Sequence, residues 1–90
     1  MYYVYFILLE NRDIYKGFTD NLRRRWNEHE SGKVESTKFS KKKKLIGYEA
    51  YCLKTDAERR EKFLKTTDGR RLLKQQYRDI IEKNTHGGFA

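Results

Sequence analysis

The chain reads as an α+β domain built on a small three-stranded, mainly antiparallel sheet flanked by three or more helices. Three features of the sequence predict this. Tyr2 to Leu9 is an unbroken aromatic and β-branched run, and after the polar turn Glu10-Asn11-Arg12-Asp13 the segment Ile14 to Phe18 returns as its hairpin partner. A third strand-like run, Leu45 to Leu53, stands apart from these two. The segments around it place apolar residues at helical spacing.

Taken in order, Tyr2 to Leu9 is apolar on both alternating faces, which predicts a central strand covered on both sides. Tyr3, Tyr5 and Ile7 share one face of it. Gly17, in the second strand, leaves room for another backbone or a phosphate. Thr19 and Asp20 are both good N-cap residues, and a helix follows them. At roughly 100° per residue, Leu22, Trp26 and His29 lie within about 60° of one another, with Arg25 at the edge of the stripe. An arginine and a histidine spaced i and i+4 therefore lie on the inward face. Groups of that kind need partners when buried, and together they suit an anion. Ser31-Gly32 ends the helix. Lys33 to Lys44 follows as a lysine-rich loop with no helical or alternating pattern, read as an arm for phosphate backbones.

In the third strand Ile46, Tyr48, Ala50 and Cys52 are expected on one face, with Cys52 a small core residue. Thr55 and Glu58 have the spacing of a capping box, fixing a second helix start near Asp56. In that helix Ala57, Glu61 and Leu64 share a stripe, so Glu61 is a carboxylate on an apolar face and must be paired, protonated or holding a metal. Thr67-Asp68-Gly69 opens a third helix with a core stripe of Leu72, Leu73, Gln76, Tyr77, Ile80 and Ile81. A single domain over residues 1–83 and a frayed tail over 84–90 are expected.

Composition narrows the function. Lysine and arginine total 21 against 13 acidic residues, for a net charge of +8 and a pI near 9.7. The balance points to a polyanion as partner, DNA first, with RNA kept open. One cysteine allows no intrachain disulfide and suits a reducing compartment, and the expected location is the cytoplasm of a bacterial-type cell, at the nucleoid. No signal peptide is expected at the start. No apolar run approaches a membrane span, so no membrane partner is expected. The chain contains no proline, and no internal repeat is evident.

Several of these pieces resemble the GIY-YIG nuclease superfamily, in particular its small single-domain members similar to the N-terminal nuclease domain of bacterial excinuclease C. Tyr3-Val4-Tyr5 stands where the family has Gly-Ile-Tyr, and Tyr15-Lys16-Gly17 where it has Tyr-Ile-Gly. Thr19-Asp20-Asn21-Leu22 with Arg25 and His29 looks like the family's helix motif. Gly32 to Lys38 is similar to the basic loop of the small members, and Arg60-Glu61-Lys62-Phe63-Leu64-Lys65 to their motif holding a metal-binding glutamate. The departures are Tyr3 for the first glycine, Lys16 for the isoleucine, and a lysine run before the third strand where small members often have proline.

The resemblance implies a metal-dependent endonuclease that hydrolyses DNA phosphodiester bonds in repair or recombination, structure-dependent or weakly specific. Tyr5 would be the general base or its relay, with Tyr15 orienting water or phosphate. Lys16, Arg25 and the metal would lower the Tyr5 pKa. Arg25 would clamp the scissile phosphate and His29 would hydrogen-bond phosphate or tyrosine. Glu61 would ligate one Mg²⁺, or Mn²⁺. Nucleic-acid contacts are expected from Lys16, Arg23, Arg24, Lys33, Lys38, Lys41, Lys42, Lys43 and Lys44. A second reading is a non-catalytic nucleic-acid-binding module of the same fold, recruited by a repair protein. The sequence gives no oligomeric state.

Overall fold

Six consecutive residues, Val4 to Leu9, are buried, which no edge strand and no one-sided sheet can achieve. The computed structural model, which describes residues 1–87, meets that demand with a three-stranded sheet in the order β2-β1-β3. Its elements are β1 (Tyr2–Leu9), β2 (Ile14–Thr19), α1 (Leu22–Glu30), β3 (Lys43–Tyr51), α2 (Lys54–Leu64), α3 (Thr67–Gln76) and α4 (Arg78–Gly87). Both pairings are antiparallel. The expected α+β class, with a three-stranded antiparallel sheet and more than three helices, is what the chain adopts.

Alternation along β1 divides the core in two. Val4, Phe6 and Leu8 pack with Ile14, Ala57, Leu64 and Leu73, so α2 and α3 cover that face. Tyr5, Ile7 and Leu9 pack with Tyr15, Leu22, Trp26 and Leu45, so α1 covers the other. β2 follows the same rule. Tyr15 and Gly17 stand opposite Ile7 and Tyr5 on the α1 face, whereas Ile14, Lys16 and Phe18 stand opposite Leu8, Phe6 and Val4 on the α2–α3 face.

Gly17 has a specific steric task. A Cβ there would run into Cζ and Oη of Tyr5, whose ring lies across β2. The room expected for a neighbour at this glycine is filled from within, by the tyrosine of β1. Gly47 does the same on the other face, where a Cβ would strike the Tyr77 hydroxyl.

Several local expectations are corrected. The cap of α1 is Asn21, not Thr19 or Asp20: its side chain accepts from the Arg24 amide at 3.0 Å, while Thr19 Oγ1 accepts from the Asn21 amide at 3.1 Å. The Thr55–Glu58 capping box does not form, because α2 starts earlier, at Lys54, with Leu53 at the N-cap position and no side-chain cap bond. β3 starts at Lys43, so Lys43 and Lys44 are strand residues, half-buried opposite Leu9 and Leu8, and not part of a solvated loop. A bulge in β3 takes up Ile46, with Phe6 opposite Gly47 and Ile7 opposite Leu45. The bulge moves Ile46 to the α2–α3 core and puts Tyr48 and Ala50 on the α1 face, so the four residues expected on one face are split. Cys52 is exposed beyond the end of β3.

The long third helix is two. α3 stops at Tyr77, whose amide donates to Leu73 O at 2.9 Å, and α4 begins at the next residue. The break lets the Tyr77 ring sit over Gly47 and against Phe6, with ring centroids 5.6 Å apart. Residues 84–87, expected to fray, continue α4, and Asn84 is buried with its amide donating to Ile80 O at 2.7 Å. The remainder of the expected tail, 88–90, lies outside the described residues.

The Gly17 contact yields a test. Gly17→Ala should cost about 1–3 kcal/mol in urea unfolding, because the methyl group and the Tyr5 ring claim one volume. Wild-type stability in that variant would show that the ring has another seat.

Candidate active site

The inward side chains of β1, β2 and α1 meet at the Tyr5 hydroxyl. Tyr5 is 1% exposed and His29 is fully buried, so each polar atom here needs a partner inside the protein. Tyr5 Oη lies 2.9 Å from His29 Nε2, and Arg25 Nε donates to the same oxygen at 3.3 Å. On its far side His29 Nδ1 lies 2.7 Å from Thr37 Oγ1. Tyr15 completes the group, its ring edge-on to His29 at 5.1 Å and tilted to Tyr5 at 6.3 Å. Among the described residues no buried side-chain nitrogen or oxygen lacks a partner.

The i, i+4 spacing on α1 is what brings Arg25 and His29 to one hydroxyl. Arg25 is half-exposed and also donates to Glu28 Oε1 at 2.9 Å, so its guanidinium is held from two sides at the surface. It borders a groove that Thr19, Asp20, Arg24, Glu28 and Lys54 help to line. The Glu28 pair holds Arg25 firmly protonated, with Tyr5 the next cause. Glu28 in turn is held below the usual carboxylate range by its hydrogen bond to Arg25.

Burial sets the protonation states of the other two. His29 is brought from 6.5 down to about 4, by burial first and then by the charges of Arg25 and Lys43. Tyr5 is pushed up from 10.0 to about 12, again by burial first, with the Arg25 hydrogen bond working the other way. At neutral pH the site therefore holds a protonated tyrosine, a neutral histidine and a cationic arginine. With Arg25 donating into Oη, the network is satisfied when the Tyr5 proton points at Nε2 and Nδ1–H donates to Thr37.

This corrects the expected electrostatics of Tyr5. Lys16 cannot help to lower its pKa, because it projects from the opposite face of the sheet, toward α3. Lys44, opposite Leu8, is turned to that face as well. Lys43, opposite Leu9, is on the Tyr5 face, where its charge reaches His29. Arg23, Arg24, Lys33, Lys38, Lys41 and Lys42 are exposed, with Arg24 paired to Asp20 at 3.4 Å and Lys38 to Glu35 at 2.9 Å.

Thr37 and Glu28 are contributors that the sequence did not single out. Thr37 sits in the lysine-rich loop, which is pinned where no pattern was expected: Val34, Thr37 and Ser40 are buried at every third position. Successive turns set that period, with the Thr37 amide donating to Val34 O at 3.1 Å and the Ser40 amide to Thr37 O at 3.0 Å. Ser40 Oγ fastens the loop to the sheet by accepting from the Glu10 amide at 2.9 Å. The three-residue spacing of small and apolar side chains among lysines was the available signal.

Glu61 comes from the other layer. It lies on α2 between Ala57 and Leu64, both fully buried against β1, as the stripe predicts. Its side chain is 22% exposed and its carboxylate faces Lys65 Nζ at 3.5 Å, so the hydrogen-bonded group around Tyr5 is assembled without it. Among the described residues no three histidine, cysteine, aspartate or glutamate side chains cluster as a metal centre. A lone, half-buried carboxylate fits Mg²⁺ or Mn²⁺ of the kind that keeps its waters and shares substrate phosphate oxygens, and does not fit an ion caged by protein alone.

The family model of the GIY-YIG catalytic domain matches residues 1–78. The chain belongs to that family. Neither curated proteins nor solved structures give a match. GIY-YIG domains are nuclease domains, so a nucleic acid is the substrate class, and in this member Tyr15 and Gly17 both lie against the Tyr5 ring.

The neutral His29 has a consequence for stability. Between pH 6.5 and about 4 the unfolded chain takes up a proton on His29 that the folded domain refuses, so stability falls as pH falls through that window and is indifferent to this group above it. The loss should reach about 3 kcal/mol in urea unfolding followed against pH. His29→Gln should flatten this part of the profile; a variant as acid-sensitive as wild type would assign the loss to carboxylates.

Proposed function

We propose that this GIY-YIG domain is a divalent-metal-dependent endonuclease that hydrolyses DNA phosphodiester bonds, with little sequence preference, in repair or recombination. The observation that carries this reading is the Tyr5 hydroxyl held between Arg25 Nε and His29 Nε2.

A tyrosine with a pKa near 12 is no base by itself at neutral pH. It takes a proton from an attacking water only while handing its own to His29, whose Nε2 lone pair is free because the ring is neutral. Thr37 fixes the ring in the orientation that offers Nε2. The water oxygen bonds to phosphorus, the bond to the 3′ oxygen breaks, and the departing oxygen takes a proton from solvent. Arg25, charged and half-exposed at the mouth of the site, meets the phosphate and the charge it gains. A Mg²⁺ or Mn²⁺ ion held by Glu61 would supply Lewis-acid stabilisation of the phosphate and of the leaving oxygen. The exposed lysines and arginines add phosphate contacts that carry no sequence information.

Nicking of supercoiled plasmid with Mg²⁺ or Mn²⁺, against a chelator control, tests the reading. Tyr5→Phe keeps the packed ring, and cleavage should fall by about two orders of magnitude or more. Glu61→Gln should abolish cleavage and leave the fold intact, because the pair it loses with Lys65 is partly exposed and worth about 1 kcal/mol at most. Wild-type protein that binds DNA without nicking it under any metal would make the domain a binding module. A Glu61→Gln variant that still nicks would remove the metal role from Glu61.

A further inference from the structure

The face of the sheet away from Tyr5 holds a second concentration of positive charge. Between β2 and α3 lies a groove of about 700 Å³ whose lining sets Lys16, Arg70, Arg71 and Lys74 against one carboxylate, Asp13. Arg70 and Lys74 are one turn apart on α3 and face the groove together. Arg71 reaches Asp68 only at 3.9 Å, with both side chains largely exposed. Lys16 is half-buried, and its ammonium is held below the usual lysine range by burial first and then by Arg70, with Lys65 and Lys74 adding to the effect against Asp13.

Such a cluster works against the fold. Like charges brought together repel, and partial burial of an ammonium adds a desolvation cost. An apolar side chain at Lys16 would pack on Ile14 and Leu73, which also line the groove. A polyanion seated there reverses the balance, turning the repulsion among four cations into attraction for phosphate.

We propose that this groove is a second phosphate-binding site, which takes the backbone of the nucleic-acid substrate on the sheet face opposite Tyr5. The proposal rests on the nucleic-acid reading and extends it from one face of the domain to two. Charge complementarity selects the ligand: the substrate class of the family is a polyanion, and the groove joins cations from two elements into one open channel. Contacts of this kind raise affinity without reading bases.

The test uses an isotopically labelled Tyr5→Phe chain without divalent metal, so that binding is scored apart from hydrolysis. On titration with a short DNA duplex, the amides of Gly69 and Leu73 on α3 should shift along with the Trp26 indole on α1. In Arg70→Ser/Lys74→Ser, built on exposed positions, the Trp26 response should persist and certify the fold, while the α3 response disappears. The slope of log affinity against log salt should become shallower by roughly two, at about 0.9 for each phosphate that is no longer neutralised. Lys16→Met should raise the melting temperature of the free protein and reduce the stabilisation that DNA confers. An α3 face that stays silent toward duplex overturns the proposal, as does an α3 response matched by inorganic phosphate at equal ionic strength, which would mean a small-anion site only. Failure of the nuclease reading is separate: it would appear as a wild-type protein that never nicks plasmid, whatever the α3 amides do.

Discussion

Burial of the Tyr5 hydroxyl is the constraint that positions most of this domain. A tyrosine at the centre of the middle strand cannot leave its oxygen unpaired. α1 must therefore cross the sheet at the one rotation that brings both Arg25 and His29 to that oxygen. β2 must carry a residue without a side chain where the ring lies, and Gly17 does. The lysine-rich loop must fold back to close the outer nitrogen of His29, and Thr37 does. Three separate parts of the chain are fixed by one tyrosine.

The same burial creates the chemical character of the site. Loss of solvent raises the tyrosine and lowers the histidine, so the two move apart and the proton between them rests on the tyrosine. Arg25 adds a charge that favours tyrosinate and disfavours imidazolium, so it tempers the first shift and deepens the second. A solvent-exposed tyrosine and histidine would lack this ordering.

Charge is distributed more evenly over the domain than the clustering of lysines in the sequence suggests. The alternation of β2 sends Tyr15 to one face and Lys16 to the other, and the alternation of β3 does the same to Lys43 and Lys44. Neighbours in sequence thus serve opposite surfaces. α3 adds Arg70 and Lys74 to the face that Lys16 reaches, and the basic character becomes two-sided.

The sheet, the centrality of β1 and the pairing of Arg25 with His29 were legible in the residues alone, because period-2 and period-3.6 patterns are local properties that survive in any context. So was the family, since the motif tripeptides and the helix motif are contiguous runs. The partners were settled by packing in three dimensions. Thr37 and His29 are eight residues apart across a loop with no regular element, so nothing local predicts their contact. The bulge at Ile46, which inverts the faces of β3, depends on how Phe6 and Ile7 are met by another strand. The break at Tyr77 depends on the space above Gly47. The side of the sheet on which Glu61 and Lys16 stand follows from which layer each element joins, and long-range packing sets that layer where local pattern is silent.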